Sequence, residues 1–388
     1  MSDDLLSALV TGIDAALPEA SSLRRAIHSD PHLSGDEQDT CAAFTQAVPW
    51  LDWQPIAETG AFARTAVNGP AVGLRAELDA LPILETTGVE WASQRRGIMH
   101  ACGHDVHMAA LWAVLRAARD VDLPVAMVPL LQPREEIVPS GAADVVASGF
   151  LEDQGVRAMA AVHVQPQVER GLVSTASGAV NAAVDAFEIH VTGRGGHGAY
   201  PHVAIDPITT LAAIVTALGG IVGKVVNPVR AATLSVGTFH GGTAKNVIAD
   251  EATCSGSIRA FTDGDRAAIH EAITRLAEGT ALARGAAATV TFQRGGPTLV
   301  NDASLASLTA AALARAGVVQ PSEAFRSCGS DDFAEYGQMV PSLMSFVGTG
   351  SADGVGLHHA RFLPGRDALR LAAVTLAASY VAACDTVG

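Results

Sequence analysis

A chain of 388 residues, 49% of them apolar, is long enough for two domains with buried cores. Its net charge of −15 argues against nucleic acid or an anionic membrane surface as partner, because both need a basic footprint; an anionic substrate would have to meet a local cation. Cys41, Cys102, Cys254, Cys328 and Cys384 are scattered and odd in number, unlike a secreted disulfide framework. The Met-Ser-Asp-Asp-Leu-Leu start lacks the basic and apolar regions of a signal peptide. The most apolar helical stretch, Ile208 to Gly223, contains Gly219-Gly220 and falls short of the ~20 residues of a membrane span. A cytoplasmic protein is expected.

Along the first half, helical and strand patterns alternate. Leu5–Leu17 and Leu23–His28 read as helices, Ala71–Glu77 as a strand, Val106–Arg119 as a helix and Val125–Leu131 as a strand. A helix over Ser140–Phe150 and a strand over Met159–Val164 follow. Such alternation implies an α/β domain with a mainly parallel sheet covered on both faces. The middle differs: a strand over Phe187–Gly193, a helix over Pro207–Val226, strands over Ala232–His240 and Ala252–Phe261, a helix over Asp265–Ala283 and a strand over Ala288–Gln293. That order, β-α-β-β-α-β, is the split βαβ pattern of ferredoxin-like α+β domains. Helix–strand alternation resumes from Leu299. The chain therefore reads as a small domain, residues 180–293, inserted into a larger one formed by residues 1–179 and 294–388.

Chemistry concentrates in four places. His100-Ala-Cys102-Gly-His104-Asp105-Val-His107 places three histidines and a cysteine in eight residues before a helix. These are ligands suited to Zn²⁺ and, less so, to Mn²⁺ or Co²⁺, and Asp105 could orient an imidazole. A thiol nucleophile at Cys102 is the competing reading, although no glycine-rich nucleophile turn surrounds it. Gln132-Pro-Arg-Glu135-Glu136 follows an apolar strand, where α/β active sites form. One carboxylate there could bind metal while its neighbour accepts and returns a proton, or the pair could simply be an exposed acidic surface. His163 ends another apolar strand, and His358 follows the glycine-rich run Gly348–Gly356; either could be a ligand or a structural residue. Together Cys102, His104, Glu136, His163 and His358 would supply enough ligands for two divalent ions when one ligand is shared.

These motifs resemble the amidohydrolase branch of the co-catalytic metallopeptidases, which holds hippurate hydrolases, bacterial aminoacylases and plant auxin-conjugate hydrolases. The resemblance spans nearly the whole chain. It rests on Arg24-Arg-Ala-Ile-His28-Ser-Asp-Pro31, Leu74-Arg-Ala-Glu77-Leu-Asp79-Ala-Leu-Pro82, Met99-His-Ala-Cys-Gly-His-Asp105, Gln132-Pro-Arg-Glu-Glu136 and His163-Val. It continues through Gly193-Arg-Gly-Gly-His197-Gly-Ala-Tyr-Pro-His202, Asn246-Val-Ile, Ile258-Arg259, Gly329-Ser-Asp-Asp-Phe333 and Leu357-His358.

The resemblance implies that Cys102, His104, Glu136, His163 and His358 bind two divalent metal ions, Zn²⁺ or Mn²⁺ with Co²⁺ possible, and that Cys102 bridges them as thiolate. It implies Glu135 as general base, and His197, Asn246 and Arg259 as groups for the substrate carboxylate or the reacting carbonyl oxygen. It also implies a homodimer through the inserted lid domain. Glu77 stands where the family usually has Asp, His32 where it has Glu and Ala249 where it has Pro, and Ile137-Val-Pro139 replaces a glycine-rich stretch. The expected activity is hydrolysis of N-acyl amino acids or related amides by metal-activated water. The alternatives are a dipeptidase or exopeptidase with the same ions, or an inactive amide-binding relative.

Overall fold

The computed structural model describes residues 2–351 and 354–387; two residues of the glycine-rich run before His358 lie outside them. The chain divides into two compact units. One contains the chain up to Gly178, Val300–Phe325 and everything from Asp332 onward; the other contains Ala179–Leu299 and Arg326–Asp331.

The first unit is built on a seven-stranded sheet. Its spatial order is Gln54–Ile56, Gly60–Phe62, Ala126–Gln132, Ala71–Glu77, Val156–Gln165, Ser342–Gly348 and Val173–Ser174. The four longest strands lie side by side and parallel, and the short edge strands are antiparallel. Ala71–Glu77, Ala126–Gln132 and Ser342–Gly348 are buried along their whole length, which explains why they are mostly apolar and do not alternate with polar residues. Glu77 pairs with Gln132, and Gln165 with Gly348, so these strands end together and their following loops share one side of the sheet.

A single helix, Ser2–Ser29, runs through the two helices expected at the N-terminus, with Pro18 inside it. Leu6, Leu9, Ile13, Ala16, Ala20, Arg24 and Ile27 keep one buried stripe across the proline. Burial of that stripe outweighs the ~3 kcal/mol that an interior proline usually costs. The C-terminal helix Arg366–Val387 is long and apolar enough to cross a membrane by length and composition. However, 78% of its most apolar window is buried inside this unit, as expected of a core helix.

In the second unit, Ala232–Gly241, Glu251–Ala260, Ala183–Thr192 and Ala287–Arg294 form an antiparallel sheet in that spatial order. Numbered along the chain this is 2-3-1-4, the ferredoxin-like arrangement. The helices Pro207–Leu218 and Asp263–Ala283 share a core with the sheet. The first helix is shorter than expected: it ends at Leu218, before Gly219-Gly220, and only the short turn Val222–Val225 follows. Leu211, Ile214 and Leu218 are buried, while Thr209, Ala212, Thr216 and Ala217 are exposed. Arg326–Asp331 joins this unit through Ser327, whose amide donates to Val180 O at 2.9 Å and whose carbonyl accepts from Ala182 N at 3.2 Å.

Candidate metal centre

Cys102 and His104 sit at the mouth of the helix His104–Ala118, separated by Gly103. Gly103 is required twice over: its φ is +86°, and a Cβ there would lie 2.3 Å from Val164 Cγ2. Glu135 and Glu136 follow the strand Ala126–Gln132, and His163 lies near the end of Val156–Gln165. Three groups of side chains, each with its ligand atoms within 4.8 Å of one another, connect these segments: Cys102–His104–His163, Cys102–Glu136–His358 and His104–Glu135–Glu136. Cys102, His104 and Glu136 each belong to two of them.

The imidazoles are oriented for metal. His104 Nδ1 lies 2.8 Å from Asp79 O and His163 Nδ1 lies 2.7 Å from Val164 O. A carbonyl can only accept, so Nδ1 of each ring carries a proton, and Nε2 is the atom that the neutral ring would offer to a metal. His104 Nε2 is buried with no hydrogen-bond partner, and His163 Nε2 faces Cys102 Sγ at 3.4 Å. Glu136 Oε1 is also buried, 3.3 Å from His358 Nε2. A buried pair of thiol and imidazole lone pairs beside two carboxylates suits a borderline divalent cation. Burial pushes the Cys102 thiol well above its ordinary range, and the neighbouring Glu136 adds to this. Burial opposes ionisation of Glu136 too, but its hydrogen bond from His358 holds the carboxyl below its ordinary value.

The rest of the histidine-rich segment has other tasks. His107 Nε2 accepts from Val164 N at 3.0 Å, so its Nδ1 is the donor to Glu77 Oε2 at 2.9 Å. Glu77 is also paired with the buried Arg75, which donates to Gln132 Oε1 and Asp332 Oδ1. The carboxylate at position 77 thus braces the backbone next to His163. His100 belongs to none of the ligand groups; burial lowers its pKa to about 3 and keeps it neutral. Asp105 receives Arg24 Nε at 2.9 Å and His28 Nδ1 at 3.0 Å. Burial disfavours charge on His28, yet Asp105 and then Glu85 raise its pKa to about 9. His32 meets Thr40 Oγ1 through Nδ1 at 2.9 Å. Two further residues bear directly on the site: Asp79, which the sequence offers only as part of the Leu74–Pro82 motif without a role, and Ser34, which nothing in the sequence marks. Asp79 Oδ2 accepts from Glu136 N at 3.0 Å and from the Ser34 hydroxyl at 2.7 Å.

His358 adopts a left-handed backbone, φ +60°, and its amide donates to Ala101 O at 2.9 Å. The segment is therefore a turn. His359 is exposed, and its Nδ1 accepts from Arg361 N at 3.1 Å. We expect His358→Ala to lower bound metal and His359→Ala to leave it unchanged; elemental analysis of the two purified variants decides, and a larger loss from His359→Ala reverses the choice.

In the second unit His197 and Asn246 are neighbours. The short strand Gly196–His197 pairs with Val247–Ile248, and Gly198 N donates to Asn246 O at 2.8 Å. His197 Nδ1 accepts from Ala199 N at 3.1 Å, which leaves Nε2 as the donor on an exposed ring. Arg259 is not brought to them. Gly195 N donates to Asp250 Oδ1, tying the His197 ribbon to one end of the strand Glu251–Ala260, whereas Arg259 lies near the other end and donates to Cys328 O at 2.8 Å. Eight residues of strand at ~3.3 Å each separate Glu251 from Arg259, roughly 26 Å.

Residues 73–380 match the model of peptidase family M20/M25/M40. The chain is 37% identical over 336 residues to the N-acetyl-L-cysteine deacetylase of Bacillus subtilis (strain 168), covering 84% of this chain and 79% of that protein. It is 35% identical over 298 residues to the N-acyl-L-amino acid amidohydrolase of Geobacillus stearothermophilus, covering 74% and 80%. Among solved structures, the Bacillus subtilis YXEP protein, described as a dinuclear metal binding peptidase from the M20 family, aligns with a TM-score of 0.85 at 31% identity over 96% of this chain and 99% of that one. A match over most of the chain, with relatives this similar, makes it a hydrolase of amide bonds that belongs to peptidase family M20/M25/M40.

Proposed function

We propose that this protein hydrolyses N-acyl amino acids, using Glu135 as general base and two divalent ions held by Cys102, His104, Glu136, His163 and His358. The observation that carries the reading is the overlap of the three ligand groups, with Cys102 common to two and Glu135 within 4.8 Å of the His104 and Glu136 ligand atoms. The ions would polarise the amide carbonyl and lower the pKa of water. Glu135 takes the proton of the attacking water and returns it to the leaving amine. His197, with its Nε2–H outward, donates to the carbonyl oxygen as negative charge develops there. Arg259 meets the substrate carboxylate and is the local cation that an acidic chain requires. The thiolate favours Zn²⁺, and the imidazole and carboxylate ligands also accept Mn²⁺ or Co²⁺. Five cysteines without disulfide bonds support a reducing, cytoplasmic location. A panel of N-acyl amino acids and dipeptides, assayed with each metal, tests the reading. Hydrolysis of dipeptides with no turnover of any N-acyl amino acid would replace it with the peptidase alternative.

The separation of Arg259 from His197 and Asn246 supports a shared-site homodimer. One small substrate cannot meet both ends of a strand, so the two sets act on it together only if they come from different subunits. The strand Ala232–Gly241 is an exposed edge of its sheet and offers unpaired backbone groups for such a contact. Mixing His197→Ala with Glu135→Gln, each inactive alone, should restore partial activity through hybrid sites. A fully active monomer in sedimentation would refute the shared site.

A further inference from the structure

Glu135 stands between two backbone amides that are each gripped by a buried carboxylate. Arg134 N donates to Glu37 Oε1 at 2.9 Å, and Glu136 N donates to Asp79 Oδ2 at 3.0 Å. Both carboxylates are sealed from solvent, Glu37 at 0% and Asp79 at 1% exposure. Asp79 also faces the His104 ring, with Oδ1 at 3.4 Å from Nδ1. Glu37 has no such second task at the ligands; its other oxygen accepts the Thr59 hydroxyl at 2.6 Å. A carboxylate is costly to bury, and an apolar side chain would fill this space more cheaply. What the carboxylate supplies is an acceptor for the Arg134 amide.

That amide belongs to a residue in an uncommon conformation. Arg134 has φ +54°, the left-handed region that non-glycine residues seldom occupy. The loop is tight at its base, where Gly141 N donates to Arg134 O at 3.0 Å and a Cβ on Gly141 would meet Pro133 O at 1.8 Å. The backbone at Arg134 decides in which direction the next side chain, Glu135, leaves the strand end. Were Arg134 to relax to an extended conformation, Glu135 would be turned away.

We propose that Glu37 is a positioning residue for the general base: by holding the Arg134 amide it keeps the left-handed turn that aims Glu135. The proposal rests on the reading of Glu135 as base. Glu37→Asp retains the carboxylate but withdraws it by one methylene from the amide. Glu37→Gln retains an acceptor oxygen at full reach, and Thr59 can accept from the new amide group. We expect Glu37→Asp to lower kcat roughly 10–100-fold, the scale of a ~1 Å misplacement, with KM and metal content unchanged. Glu37→Gln should keep most of kcat. Thr59→Val removes the other hydrogen bond to Glu37 and should leave kcat at the wild-type level. If Glu37→Asp does not fold, Glu37→Met fills the space without an acceptor and carries the same expectation.

Wild-type kcat in Glu37→Asp overturns the proposal. So does a Gln variant as impaired as the Asp variant, which would make charge the requirement, or a metal content that falls in step with kcat. Glu135→Gln assayed alongside separates the two readings. If it turns over normally, the base assignment and the proposal fall together. If it is inactive while Glu37→Asp is normal, only the positioning role is lost.

Discussion

Glu135→Gln should lower kcat by at least ~10²-fold, the usual scale of general acid–base catalysis, with metal content unchanged. The substitution keeps the size of the side chain and leaves the backbone grips on Arg134 and Glu136 in place, so the loop should hold its shape. What is removed is the capacity to accept a proton from water and to deliver it to the departing nitrogen. An amine is a poor leaving group unless protonated, so both halves of the reaction suffer from one change. Substrate binding should survive, because the residues read as substrate contacts, His197, Asn246 and Arg259, lie in the other unit. KM should therefore stay within the wild-type range while kcat falls. Near-normal turnover in a fully metallated variant would refute the assignment and direct attention to another proton carrier.

The parts of this molecule that were legible in the sequence are those where one local pattern has one physical cause. Mostly apolar runs without alternation at Ala71–Glu77 and Ala126–Gln132 mark strands buried on both faces, and the polar residues that follow them mark the side where such sheets carry chemistry. The Cys102-Gly-His104 spacing is legible because a glycine between two candidate ligands permits the left-handed turn seen there. The ferredoxin-like order was legible from alternation alone.

What the sequence concealed depends on distant partners. Glu37 is one acid in a polar stretch, and nothing local marks it as the acceptor for an amide 97 residues away. The role of His107 is hidden by its company. It sits among the candidate ligands in sequence, and only the amide of Val164 shows that its Nε2 is already engaged. The helix Ser2–Ser29 defeats a local rule in the same way, because the buried stripe that outweighs Pro18 is a property of the packed core. Arg326–Asp331 reads as part of the larger domain and joins the smaller one through hydrogen bonds to Val180 and Ala182. At His358 the backbone takes a left-handed turn, held by a hydrogen bond to Ala101, that no local pattern in the sequence announces.

Cys102→Ala should lower metal occupancy and activity together. Cys102 belongs to two ligand groups, one with His104 and His163 and one with Glu136 and His358, so its loss weakens both positions at once. Occupancy should fall at both, and activity with it, by more than the ~10–100-fold in affinity that loss of an outer hydrogen-bond partner costs. His163→Ala, which is confined to one group, should leave the other position largely intact. The competing role for Cys102, a nucleophile, requires a thiolate supplied by the protein alone. Its surroundings oppose that: the side chain is buried, and Glu136 and Glu135 both disfavour a further negative charge. A cation at the site reverses the balance, because coordination to a divalent ion deprotonates a thiol outright. Equilibrium dialysis with elemental analysis distinguishes the two roles. A ligand takes metal with it when removed, whereas a nucleophile leaves the metal complement full and abolishes turnover. A Cys102→Ala protein that retains both ions would return Cys102 to the role of nucleophile and leave the bridging position to another residue.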